Sequence, residues 1–392
     1  MNIYITGLGC ISAIGNTVAQ NRESLRSQKH GLQYAKYLDS RYAHEKYFGE
    51  IPYSNEDLLK KLSITPHTEL TRTDILAHIA FAESISQAQL SAQEISDTNT
   101  AFISASTVGG MCHTQELYND ANCIGSPSPY IDSYNCSSHT LHIAQQYAMR
   151  GITNTINTAC SSSANAILYG MRLLQTKRAT RVIAGGVDSL AKFTVNGFNS
   201  LQIISNEPCK PFDQQRNGLN LGEAAAYIVM ETETTCKTKP RLAVLSGAGN
   251  ASDAFHSSAL SEEATGVVQC TEQALQQAGL LPHQIDYINA HGTATDNNDG
   301  VEYKGFLQLF TNIPPFSSTK SYTGHTLGAA GALEAVYSVL AIMNQELYPT
   351  LHTTNPMHSS LLQKYTTQQI THVLSNSYGF SGNCTSLLFS KA

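Results

Sequence analysis

The sequence predicts a layered α/β fold built from two duplicated halves, and three observations point there. Short β-rich runs alternate with longer helical patterns along the whole chain. The run Ile3-Tyr4-Ile5-Thr6-Gly7-Leu8-Gly9 is echoed by Ala243-Val244-Leu245-Ser246-Gly247-Ala248-Gly249. Each half also has a strand ending on a reactive side chain, Cys160 in the first and His291 in the second, and a later strand entering a glycine turn. Those turns are Ala184-Gly185-Gly186-Val187 and Tyr378-Gly379-Phe380-Ser381-Gly382. Chance likeness between small apolar strands is the alternative at this point. The polar stretch Glu231–Pro240 makes a seam, dividing the chain into residues 1–238 and 239–392.

Taken in order, β-rich runs place strands near Ile3–Thr6, Thr100–Ser104, Thr155–Thr158, Val182–Ala184, Ala225–Met230, Leu242–Ser246, Asp286–Asn289, Thr371–Asn376 and Ser386–Phe389. Apolar residues at helical spacing place helices over Arg72–Gln89, Leu141–Met149, Ser162–Gln175, Thr265–Gln277, Val301–Leu309 and Ala329–Met343. Ile124–Tyr134, with Pro127 and Pro129, reads as a long excursion outside the core.

Composition excludes several classes. The 392 residues are 41% apolar, enough for a large core, and only 14% charged. A surface so poor in charge suits an oligomer. The net charge of −6, with no basic run longer than Lys60-Lys61, argues against nucleic acid. The apolar start lacks a cationic region and reads as a strand rather than a signal peptide. No apolar stretch approaches the ~20 residues of a membrane span. Nine scattered cysteines without C-x-x-C spacing argue against disulfides or zinc and for a reducing cytoplasm.

Cys160 falls where a predicted buried strand enters the helix Ser162–Gln175. Free N–H groups and partial positive charge at such a helix start are expected to lower a thiol pKa from its usual ~8.5. The ordinary alternative is a buried small hydrophobe. Cys136 also heads a Cys-Ser-Ser run, but Tyr134 and Asn135 before it do not form a buried strand. His291 closes the run Asn289-Ala290-His291-Gly292-Thr293-Ala294-Thr295, and a glycine-framed loop carries Lys320 and His325. The Ala/Gly-rich helix that follows is shaped to lie close to a neighbouring helix. Most of the 14 histidines are ordinary surface or core residues. His291 and His325 lack H-x-x-x-H spacing, and Lys320 beside them would repel a metal cation, so no metal site is expected. Neutral histidines donating hydrogen bonds to a developing enolate account better for this set.

Assembled, these segments make the chain resemble the elongating β-ketoacyl-[acyl-carrier-protein] synthases, condensing enzymes on the thiolase-like fold, over nearly its whole length. The resemblance rests on Thr158-Ala159-Cys160-Ser161-Ser162; Pro211-Phe212-Asp213 with Arg216, Gly218 and Gly222-Glu223; and Ser252-Asp253-Ala254-Phe255-His256. Further on it rests on Asn289 through Thr295 with Asp299 and Glu302; Lys320 with Gly324-His325, Gly328-Ala329-Ala330-Gly331 and Glu334; and Gly379-Phe380 with Gly382-Asn383. It implies a five-layered α-β-α-β-α architecture and extension of a fatty-acid, polyene or polyketide chain by two carbons.

What the resemblance implies for single residues is specific. Cys160 accepts the acyl group, and the backbone N–H groups of Cys160 and Phe380 form an oxyanion hole. His291 and His325 hold the malonyl thioester carbonyl while carbon dioxide leaves. Lys320, paired with Glu334, sets the electrostatics, and Asp299 supports the site. Phe380 gates an acyl pocket bounded by Val108, and Arg72 docks the acidic carrier. No cofactor is implied. Acyl- and malonyl-loaded carrier proteins are the implied substrates, within a homodimer or a heterodimer with a related ketosynthase or chain-length factor.

The chain departs from the family's Gly-Phe-Gly-Gly-Thr-Asn turn, which here reads Gly379-Phe380-Ser381-Gly382-Asn383-Cys384 after Tyr378. Asn206 stands where a second docking cation is common. A thiolase would need a C-terminal Cys-Gly-Gly that Cys384 does not offer. A starter-condensing enzyme would pair Cys with His and Asn. A non-catalytic chain-length factor typically lacks the nucleophile that this chain retains.

Overall fold

The glycines of the repeated run account for the packing of both outer layers. A Cβ at Gly7 or Gly9 would stand 2.3 or 2.0 Å from the carbonyl oxygens of Ser84 and Ala80, on the helix Arg72–Gln87. A Cβ at Gly247 or Gly249 would meet the carbonyls of Ala274 and Cys270 at 2.2 and 1.9 Å, on the helix Thr265–Ala278. Only glycine lets a strand and a helix approach so closely. The echo in sequence is thus one packing solution used twice.

The computed structural model describes residues 2–62, 70–123, 128, 130–131 and 133–392. Strands run β1 (Ile3–Ser12), β2 (Thr100–Ala105), β3 (Thr153–Ile156), β4 (Arg181–Asp188), β5 (Ala224–Thr232), β6 (Ala243–Ser252), β7 (Tyr287–Asn289) and β8 (Phe316–Ser317). After a two-stranded ribbon, β9 (Glu346–Leu347) with β10 (Thr366–Thr367), come β11 (His372–Tyr378) and β12 (Asn383–Ser390). The ten remaining strands hydrogen-bond in the order β3-β2-β4-β5-β1-β6-β12-β11-β7-β8. Outward from β1 and β6, each half places its first, fifth, fourth, second and third strand in turn. Within the sheet the halves meet where β1 pairs with β6, Tyr4 with Val244 and Ile5 with Ala243.

Two helices fill the middle layer. Ser162–Gln175 packs on β2 and β4 of its own half and on β6 and β12 of the other, while Ala330–Asn344 packs on β5 and β11. A Cβ at Gly331 would lie 2.7 Å from the Ala164 methyl, so the Ala/Gly-rich helix does press against the helix that follows Cys160. By length and composition Leu327–Asn344 could cross a membrane, but 89% of it is buried inside the fold. It is the core helix of the middle layer.

Several boundaries move. β1 and β6 extend through their glycines to Ser12 and Ser252, because close packing outweighs glycine's weak strand preference. The helix expected over Leu141–Met149 spans Ser138–Gln146. The helix Thr114–Cys123 was not expected, and it buries none of its residues. Residues 124–127, 129 and 132 of the expected excursion, with both of its prolines, lie outside the described residues. The strand before Cys160 is corrected: β3 ends at Ile156 and is half-exposed, since it forms one edge of the sheet.

Candidate active site

Cys160 sits on a tight turn between β3 and the helix Ser162–Gln175. Ala159 before it adopts φ 55°, a left-handed conformation costly for a residue with a Cβ. The turn is held by Ser162, whose N–H donates to Ala159 O at 3.0 Å and whose Oγ accepts from Thr158 N at 2.8 Å. The Cys160 side chain is buried at 5% exposure, and the backbone N–H groups of Phe380 and of Cys160 itself bear on its sulfur. Burial nonetheless pushes the thiol up to about 12; the Lys320 charge and the two N–H groups pull it down. The lowered thiol pKa expected from the helix start is therefore corrected: at this buried sulfur desolvation outweighs the ammonium and the two N–H groups.

His291 and His325 approach from the other half, both 2% exposed. Their rings meet edge to face with centroids 5.3 Å apart. Two buried carboxylates shape the chain around His291. Glu302 accepts from the N–H groups of His291 and Gly292 at 2.9 Å each. Asp299 accepts from Thr293 N at 2.9 Å and Ala294 N at 3.1 Å. Burial raises both acids, Glu302 to about 8.

Lys320 is buried and uses all three ammonium hydrogens. It donates to His291 O at 2.6 Å, to Glu334 Oε1, and to His291 Nδ1 at 3.3 Å. An ammonium only donates, so His291 Nδ1 accepts and the ring proton of the neutral imidazole belongs on Nε2. Burial raises the Glu334 carboxyl against the pull of Lys320. Both histidines are held well below their ordinary pKa, first by burial and then by the Lys320 charge, with His325 adding to the effect on His291. Both are neutral at physiological pH.

The two half-sites open into one cleft of about 360 Å³, lined by Cys160, His291, His325, Tyr378 and Phe380. Phe380 stacks on Phe198 with ring centroids 5.6 Å apart. Beside it Ser381 adopts φ 71°, so the serine that replaces a family glycine occupies a left-handed position. Tyr378 lies 5.5 Å from His291, ring to ring, and its hydroxyl is buried.

Two expected site residues are placed elsewhere. Arg72 is not free to dock a carrier: its guanidinium is only 11% exposed and is spent inside the fold. It donates to the Glu223 carboxylate, to the carbonyls of Ile51 and Tyr53, and to Asn55 Oδ1. Val108 does not line the cleft beside Cys160; it is buried in an apolar cluster with Leu190, Leu327 and Phe198. Cys136 lies apart from the cleft, its sulfur 3.8 Å from Thr107 O and from Asn157 Nδ2.

Sequence reasoning missed Asp188 and Phe198. Asp188 accepts from Ser106 Oγ, Thr107 N, Val108 N and Gly328 N, pinning the β2 end against the loop after His325. An acid closing the apolar run Ala184–Val187 was a usable signal for a buried, satisfied carboxylate. Phe198 had no signal that set it apart from Phe193 in the same helix, Lys192–Ser200. Among the described residues, no three His, Cys, Asp or Glu side chains gather in a group that could hold a metal.

Comparison with known proteins covers the whole length. The family profile described as Beta-ketoacyl synthase, N-terminal domain matches residues 1–235, and Beta-ketoacyl synthase, C-terminal domain matches residues 242–354. The chain is 32% identical to a 3-oxoacyl-[acyl-carrier-protein] synthase 2 of Coxiella burnetii, over 99% of this chain and 98% of that one. Among solved structures, a ketosynthase in complex with its chain length factor from Xenorhabdus doucetiae is 29% identical with TM-score 0.87, covering 100% of this chain and 98% of that one. The ishigamide ketosynthase/chain length factor, 24% identical, shares the fold with TM-score 0.92 over 100% of this chain and 99% of that one.

Proposed function

The chain belongs to the beta-ketoacyl synthase family, and from that membership we propose that its cleft joins an acyl group held on Cys160 to a malonyl thioester, with loss of carbon dioxide. It is a condensing acyltransferase of the elongating kind. The observation that carries the residue assignments is the opening of Cys160, His291 and His325, each from its own half, into one cleft.

In the first half-reaction the Cys160 sulfur attacks the acyl thioester carbonyl and the carrier thiol leaves. The thiol proton passes by way of the neutral His325 imidazole to the departing carrier sulfur, His291 already accepting from Lys320 at Nδ1, because free thiolate is scarce at neutral pH with a thiol at about 12. The N–H groups of Cys160 and Phe380 hold the oxyanion. In the second, His291 Nε2–H and His325 hold the malonyl thioester oxygen. The electrons released with carbon dioxide collect there as an enolate, whose carbon attacks the acyl-enzyme and expels the Cys160 thiolate. Lys320 keeps its place with Glu334 and holds His291 in the donating tautomer. Val108, packed in the cluster that contains Phe198, sets the room for the acyl chain beyond the Phe198–Phe380 pair.

The doubled strand order supports a division at 238/239 into a nucleophile half and a histidine half. β3, half-exposed at the sheet edge beside the exposed side chain of Leu141, supports association with a second chain of this fold, a copy or a chain-length factor. Nine free cysteines fit a reducing cytoplasm. The test is mass spectrometry of the Cys160 peptide after incubation with a panel of acyl-carrier thioesters, followed by malonyl carrier. Acylation at Cys160 and release of a product two carbons longer are expected. Acylation elsewhere, or none with any acyl length, rejects the assignment.

A further inference from the structure

Behind the cleft a buried amide and hydroxyl network joins the two halves. Asn383, at the start of β12, accepts at Oδ1 from Ser161 Oγ at 2.7 Å, Asn165 Nδ2 at 2.7 Å and Asn250 Nδ2 at 3.1 Å. Its backbone carbonyl accepts from Gly379 N at 2.7 Å, closing the turn that carries Phe380. Asn165 also donates to Thr158 Oγ1 at 2.8 Å, and its Oδ1 accepts from Asn250 at 2.9 Å. Thr158 and Ser161 flank the strained Ala159 and the nucleophile Cys160.

We propose that Asn383 is a positioning residue for acyl transfer: it ties the Cys160 turn to the Phe380 turn so that their two backbone N–H groups face one point. The claim rests on the proposed condensation. One residue reaches both turns, by side chain to Ser161 and by main chain to Gly379, and each turn holds a residue in a left-handed conformation, Ala159 at φ 55° and Ser381 at φ 71°. Such turns keep their shape only where neighbours over-determine them. The Asn383 side-chain oxygen also takes Thr385 Oγ1 at 3.3 Å, and its removal takes away an acceptor that Ser161 and Asn165 of one half share with Asn250 of the other. The histidines do not depend on this network. Glu302, Asp299 and Lys320 hold His291 and the chain after it instead, and His325 is held through its backbone by Asn220 and Gly222. Loss of Asn383 should therefore split the two half-reactions.

The experiment compares two rates. Asn383→Ala should slow acylation of Cys160 by roughly ten- to a hundredfold, the scale of a displacement of about 1 Å at a reacting centre. In a Cys160→Gln background, Asn383→Ala should leave malonyl-carrier decarboxylation within about twofold of Cys160→Gln alone, which also certifies that the variant folds. Parallel loss of both rates makes Asn383 merely structural, and unchanged acylation removes its role; either overturns the proposal. If Asn383→Ala does not fold, Ser161→Ala carries the same test, since it cuts only the tie on the nucleophile side. If Cys160→Gln alone fails to decarboxylate, the condensation reading is what has failed. Iodoacetamide alkylation of Cys160 then decides the positioning claim: it must be slower in Asn383→Ala, and an unchanged rate overturns it.

Discussion

The nucleophile turn and the histidine cluster face one cleft but are made differently. The turn follows a half-exposed edge strand, strains Ala159 into a left-handed conformation, and is stitched by small hydroxyls and amides. The histidines sit 2% exposed, His291 on backbone gripped by buried carboxylates with an ammonium fixing its ring, His325 on backbone bonded to Asn220 and Gly222. The same physical term acts on both with opposite consequences. Desolvation disfavours charge, so it raises the Cys160 thiol to about 12 and drives both imidazoles down. The group that must ionise works against its surroundings, and the groups that must stay neutral work with them. Two halves of one duplicated fold have thus taken up separate tasks, anchoring the acyl group and steadying the enolate.

The largest effect that can break this comparison is at the sulfur. Cys160→Ala should abolish condensation, while Cys136→Ala should leave it within about twofold, product being followed by mass spectrometry. Equal losses would dissolve the distinction between the two Cys-Ser-Ser runs. Next come the rings. His291→Ala and His325→Ala should each cost about 10²–10³ in malonyl decarboxylation, the usual toll of one oxyanion donor, and should cost acylation far less. Unchanged decarboxylation in both would mean that they do a different job.

Lys320→Met tests the frame around the rings. It leaves Glu334 buried without its cation, so stability should fall by about 3–5 kcal/mol in denaturant unfolding, and the double variant Lys320→Met/Glu334→Leu should recover much of it. The Lys320 charge also holds both histidines down. Without it their pKa values rise, so protonation begins at higher pH and the acid limb of decarboxylation moves upward in the double variant. An unmoved limb would remove Lys320 from the electrostatics. The smallest effect belongs to the gate: Ser381→Gly should relieve the left-handed strain and stabilise the fold by up to about 1 kcal/mol, read from the unfolding midpoint.

Much of this was legible before any coordinates. Strands with a strong apolar signal and the helix Ser162–Gln175 lie where their periodicity put them, because burial of one face governs both the pattern and the packing. Cys160, His291, Lys320 and His325 stand out as chemistry-bearing types in small-residue turns, and one cleft or its direct support includes all four. What failed depends on long-range context. Arg72 has the look of a surface cation, and only the approach of Glu223, 151 residues away, shows it satisfied. The thiol pKa depends on how completely the other half covers Cys160, which no local pattern encodes. The helix Thr114–Cys123 was missed for the opposite reason, since it contributes no fully buried residue to the core.

The central claim is that one cleft holds a buried, reluctant thiol beside two buried, neutral imidazoles, and pH profiles of the two functions test it most directly. Iodoacetamide alkylation of Cys160 follows the thiolate, whose fraction grows tenfold per pH unit below the thiol pKa; with that pKa near 12, the rate should climb without a plateau from pH 6 to 9.5. Decarboxylation of malonyl carrier by the Cys160→Gln variant should stay level over the same range, because both histidines are already neutral at its acid end. A plateau in alkylation near neutral pH, or a decarboxylation rate that falls away below an inflection near 6.5, would contradict the account.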